Sequence, residues 1–142
     1  MAMNLITALF STAGYCFLMN VPRRKIVPAS IGGMLSWWLY LLLKDHVSSV
    51  FYLLVVVAAF TAAYSEVAAK LAKTPATVFL LPGLIPLIPG GFVYYAMLGL
   101  VQNQFDVMRQ NALLAGQWAV GIAAGICVVA VIRQILHHLF SR

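Results

Sequence analysis

Five apolar runs, separated by short polar stretches, fill almost the whole chain: residues 2–19, 26–43, 47–63, 78–101 and 112–132. A helix crossing a hydrocarbon core of about 30 Å needs roughly 20 apolar residues, with a range of about 17–25. Each run is near that length. The third continues through Ala69, because Ala62, Ala63, Ala68 and Ala69 favour helix. The fourth is entered at Pro75, where Thr74 reads as an N-cap with proline at the first helical position. The sequence therefore predicts an all-α integral membrane protein, a single transmembrane domain over residues 1–142 with about five helices (2–19, 26–43, 47–69, 75–101 and 112–132). Composition excludes a soluble reading. Hydrophobic residues make up 63% of the chain and charged residues 8%, against roughly 25% charged in soluble domains, and a chain this short cannot hide so much apolar surface in one core.

The formal net charge is +6, but the cations lie between apolar runs and form no continuous face, so no nucleic-acid partner is expected. They read as topology signals. Seven of the nine Lys and Arg (Arg23, Arg24, Lys25, Lys70, Lys73, Arg133 and Arg142) fall on one side of a five-crossing chain, and Lys44 and Arg109 on the other. The positive-inside rule then places the N-terminus outside and the C-terminus in the cytoplasm. If the fourth run were instead a re-entrant loop, the division would be less uneven. The first run has no charged residue ahead of it and a basic cluster behind it, so it is expected to be retained as a helix rather than removed as a signal peptide.

The fourth run carries the most chemical information. Residues 82–91 read Pro82-Gly83-Leu84-Ile85-Pro86-Leu87-Ile88-Pro89-Gly90-Gly91. Each proline in a helix interior removes a backbone donor, clashes with the preceding turn and costs about 3 kcal/mol, so this block cannot continue as regular helix. Apolar residues flank it on both sides, which puts the break at membrane depth. Unwound backbone is tolerated there only if protein buries it or a wet cavity reaches it. Discontinuous helices of this kind form substrate sites in transporters, where the N-terminus of the second half-helix points its free amides at anionic groups. The candidate substrate site is therefore Pro86, Pro89, Gly90, Gly91 and Tyr94, with amides at Gly90, Gly91 and Phe92 suited to a carboxylate. A proline kink repaired by neighbouring helices is the bland alternative.

At these residues the chain resembles the threonine/serine exporter family, in its small-subunit form. The resemblance is carried by 73–91 (KTPATVFLLPGLIPLIPGG), then Tyr94 and Met97, and is supported by the Asn20-Val21-Pro22 turn followed by basic residues. It implies a bacterial inner-membrane protein that exports small carboxylates, threonine and serine in some members and succinate in others. It further implies that a small subunit works with a larger membrane subunit carrying the other half, as a homo- or hetero-oligomer driven by the proton gradient. No cofactor is implied.

Glu66 is the one acid close to a span's interior and is the proton-coupling candidate; an exposed pair with Lys70 at i+4 is the alternative. Asp106 is expected to pair with Arg109 at i+3. His46, His137 and His138 lie at helix ends in poor metal geometry, and no metal is assigned. Trp37, Trp38, Tyr40 and Tyr52 read as an interfacial aromatic belt. Gly121 and Gly125 form a small-xxx-small packing motif, as Gly32 and Gly33 could. The sequence holds no Ser/His/Asp set, metal-ligand cluster or acidic pair at one depth, so an enzyme is not expected. The competing reading is a non-transporting scaffold subunit, in which residues 82–92 would be fully packed rather than wet.

Overall fold

The computed structural model describes residues 2–140, with the side chains of all but Ala2, Leu136, His137, Leu139 and Phe140. Arg142 and the side chain of His137, both used in the sequence reading, lie outside the described residues. The described chain folds as α1 (Ala2–Leu18), α2 (Arg23–Leu43), α3 (Val50–Ala72), α4 (Thr77–Leu84), a 3-10 turn (Ile85–Leu87), α5 (Gly90–Val101) and α6 (Phe105–Phe140). Three helices are long and apolar enough to cross a membrane: α2, α3 and the Phe105–Ile135 part of α6. A fourth span exists if Thr77–Leu87 and Gly90–Val101, bent by 55° from each other, count as one. α1 is apolar but shorter, so the multi-pass helical architecture stands while five spans are not established.

Three helices close in the same way. Asn20, Lys73 and Asn103 adopt left-handed backbone (φ 52°, 50° and 55°), and the next amide reaches back five residues: Val21 to the Cys16 carbonyl at 2.9 Å, Thr74 to Ala69 at 3.1 Å and Gln104 to Gly99 at 2.7 Å. This closure satisfies the last carbonyls of each helix within one turn. At α5 it has a consequence the polarity pattern hid. The polar stretch expected to be a loop at 102–111 is only a three-residue turn. α6 starts at Phe105 and absorbs Asp106, Arg109 and Asn111 into its first turns. Gly99 permits so tight a reversal, since a Cβ there would lie 2.8 Å from the Met108 amide nitrogen.

α3 and α6 run parallel. Gly121 lies against Phe51 and Leu54, Gly125 against Val55, Ala58 and Ala59, and Arg133 reaches Glu66. The Gly121/Gly125 motif is thus used within the chain, letting two backbones approach closely. Gly33 makes room for Thr12 of α1, and Gly32 for Tyr64 of α3. Between α2 and α3 the Ser36 and Thr61 hydroxyls bond at 2.7 Å, both fully buried.

The parallel pair fixes the path of the broken segment. α3 ends at one end of the bundle and α6 starts at the other, so residues 77–101 traverse the bundle and do not turn back. Arg23–Lys25, Lys70, Lys73 and Arg133 gather at the first end; Lys44 and Arg109 lie at the opposite one. Among the described residues α5 packs on α6 alone. Gly121 already meets Phe51 at the start of α3, so residues 105–117 of α6 run past the α2–α3 turn for about 20 Å, accompanied only by α5.

Candidate functional site

The proline-glycine block divides into two parts with opposite environments. Pro82, Gly83, Leu84 and Leu87 are buried. Leu84 and Leu87 join Leu53, Val57 and Ala58 in a core cluster, and Gly83 brings α4 against Thr61 of α3. This half is packed. From Ile88 onward the chain opens: Ile88, Gly90 and Gly91 are exposed, and a Cβ added at either glycine would meet nothing within 4 Å. The break lies nearer the α2–α3 turn than the middle of the bundle, because Leu87 shares a core cluster with Leu53 and Val57 in the first turns of α3.

The backbone explains what the opening offers. Pro86 and Pro89 have no N–H. The Ile88 amide donates to the Ile85 carbonyl at 3.2 Å, the Gly90 amide to Ile88 at 2.8 Å and the Val93 amide to Pro89 at 3.2 Å. Gly90 is therefore engaged, contrary to the expectation that its amide is free. The Gly91 and Phe92 amides, at the first turn of α5, have no backbone partner among these bonds. They stand at the positive end of a 12-residue helix.

A cleft of about 390 Å³ opens on this end, lined by Trp37, Pro86, Ile88, Pro89, Gly91, Phe92, Tyr95, Asn111 and Trp118. Of the expected site residues, the structure brings Pro86, Pro89 and Gly91 to the cleft. Gly90 sits at its edge without lining it. Tyr94 is 61% exposed and points elsewhere, edge-on to Tyr95 at 5.4 Å between ring centres. Tyr95 faces the cleft because it follows Gly91 by four residues and shares its helix face, a spacing that was available in the sequence. Asn111, whose amide donates to the Val107 carbonyl at 2.8 Å, reaches the site only because α6 begins seven residues earlier than expected. One wall is aromatic: Trp37 stacks on Tyr40 at 5.0 Å, Tyr40 meets Trp118 at 5.5 Å and Trp118 meets Phe92 at 5.6 Å. Two residues assigned to the interfacial belt, Trp37 and Tyr40, thus turn inward, whereas Trp38 and Tyr52 remain exposed.

Glu66 is not part of this site. Its partner is Arg133 of α6 at 2.7 Å, not Lys70, and Arg133 lies about 22 Å further along α6 than Trp118. Asp106 and Arg109 form no ion pair; Glu66–Arg133 is the one ion pair found among the described residues. At the start of α4 the helix proper begins at Thr77 with Ala76 as N-cap, and the Thr74 hydroxyl, expected to cap it, is buried without a partner.

No curated protein and no solved structure matches the chain. The family described as Threonine/Serine exporter, ThrE, matches residues 4–132, nearly the full length and including the whole broken helix. With apolar helices of spanning length and an interrupted helix at their side, this multi-pass membrane chain belongs to the threonine/serine exporter family of transporters.

Proposed function

We propose that the chain is one subunit of an exporter for small amino acids or dicarboxylates of the threonine/serine or succinate class, and that the break between α4 and α5 binds the substrate carboxylate. One observation carries this reading: Gly91 and Phe92, whose amides have no backbone partner, line a cleft of about 390 Å³. A carboxylate there accepts both N–H bonds at the positive end of α5. Pro86 and Pro89 keep the chain unwound, Gly90 and Gly91 leave the approach free of side chains, and Tyr95 and Asn111 supply further polar contacts. Tyr94 faces away from the cleft and would meet substrate only across an assembled interface. A larger membrane subunit of the same family is the partner that closes the open side, and Glu66 is the residue offered for proton coupling.

Purified chain reconstituted in liposomes with that partner is expected to exchange labelled threonine, serine or succinate, and neither subunit alone is expected to do so. A complex that assembles but exchanges none of the three favours the scaffold reading.

The charge distribution supports a bacterial inner-membrane orientation with the Arg23–Lys25, Lys70, Lys73 and Arg133 end in the cytoplasm and the N-terminus outside. A cysteine placed at Gln104, in the exposed α5–α6 turn, is expected to react with a membrane-impermeant reagent added to intact cells. Reaction only after the cytoplasm is opened would reverse the orientation.

A further inference from the structure

At the other end of the bundle from the break, the end of α3, the α3–α4 turn and α6 enclose a second cleft of about 450 Å³. Three cations, Lys70, Lys73 and Arg133, line it against one carboxylate, Glu66. The left-handed turn at Lys73 builds this arrangement, because it closes α3 and leads straight into Thr74, Pro75 and the Ala76 N-cap of α4, all on the cleft wall. Thr74 lines it too, and its hydroxyl oxygen, buried beneath the wall, has no hydrogen-bond partner. A buried hydroxyl left unbonded costs free energy that a bound acceptor recovers. Lys70 and Lys73 form no ion pair among the described residues. Arg133 uses one guanidinium nitrogen on Glu66 and keeps 64% of its side chain exposed, so its other donors remain available for the two-point contact that suits a carboxylate.

We propose that this cleft is a docking site for the carboxylate of a small organic or amino acid, held by Lys73 and Arg133 with the Thr74 hydroxyl turning outward as a third contact, and that Glu66 competes with the incoming acid for Arg133. The cleft takes its ligand class from the transport reading but is a separate place on the chain. Glu66 supplies the exchange: while its carboxylate holds Arg133 the site is partly occupied from within, and a neutral side chain at position 66 gives Arg133 up to the ligand.

The test is binding rather than transport. The Gly91→Leu chain, in which the break is filled, is placed in phosphatidylcholine nanodiscs and titrated calorimetrically with succinate. Saturable binding is expected. Arg133→Gln is expected to weaken it by about tenfold or more, the loss of charge-assisted bonds, and Arg133→Lys to restore part of it. Lys73→Gln weakens it less. Glu66→Gln is expected to strengthen it several-fold, an outcome that a merely structural ion pair does not give. Absence of saturable binding, indifference to both Arg133→Gln and Lys73→Gln, or weaker binding in Glu66→Gln overturns the proposal. A second arm adds phosphatidylglycerol to the nanodiscs. If binding vanishes there, a lipid phosphate owns the cleft and the assignment to a soluble acid is wrong. Wild-type chain that binds succinate through Arg133 but supports no exchange with its partner would sink the transport reading and leave this one standing.

Discussion

Gly91→Leu is expected to abolish export while the protein stays folded. The added side chain has room, since a Cβ at Gly91 meets nothing within 4 Å, and glycine in a helix is less favourable than leucine by up to about 1 kcal/mol. Melting temperature should hold or rise. The leucine nonetheless projects from the wall of the cleft at Gly91, over the two amides proposed to take the carboxylate, so exchange of labelled substrate should fall by about tenfold or more, the size of effect given by losing a charge-assisted contact. Gly90→Leu is expected to have a smaller effect, because Gly90 does not line the cleft and its amide is already bonded to Ile88. Substrate exchange in co-reconstituted liposomes, with a melting curve on the same preparation, reads both quantities. Full exchange in a folded Gly91→Leu protein would remove the break as the binding place.

Gly125→Leu is expected to do the reverse and destroy the fold. Its Cβ would lie 2.5 Å from the Val55 carbonyl oxygen and 2.9 Å from the Ala59 nitrogen. Both atoms belong to the backbone of α3 and cannot swing aside as a side-chain tip could. Overpacking ordinarily costs about 1–3 kcal/mol, and a clash between two helix backbones belongs at or above the top of that range. Gly116→Leu on the same helix is the control: nothing lies within 4 Å of its Cβ. Loss of monodisperse protein for Gly125→Leu, beside normal recovery of Gly116→Leu, is the predicted pair of results. Equal recovery of the two would mean that α3 and α6 do not pack through this glycine.

What could be read from the sequence was what neighbouring residues decide among themselves. The helix does break within the proline-glycine block, but later than expected: Pro82 and Gly83 stay inside α4, packed against α3, the chain tightens to a 3-10 turn over Ile85–Leu87, and only Ile88 and Pro89 leave the helical path before α5 restarts at Gly90. The start of α6 was hidden because polar residues at 105–111 imitate a loop, whereas the backbone reversal at Asn103 sets the boundary. Tyr95 rather than Tyr94 lines the cleft, as its i,i+4 relation to Gly91 on one helix face allows. The partners that come from afar had no local signature. Trp118 closing the aromatic wall, Asn111 reaching the cleft and Arg133 taking Glu66 from Lys70 all depend on how α6 lies along α3, which no short window of sequence contains.

α6 borders both clefts. Asn111 and Trp118 stand on it at the break, Arg133 stands on it at the opposite cleft, and α5 rides on it alone. One stiff rod some 33 Å long between Asn111 and Arg133 therefore ties the two places mechanically. A substitution that shifts this rod where Gly121 and Gly125 touch α3 displaces lining residues of both clefts at once.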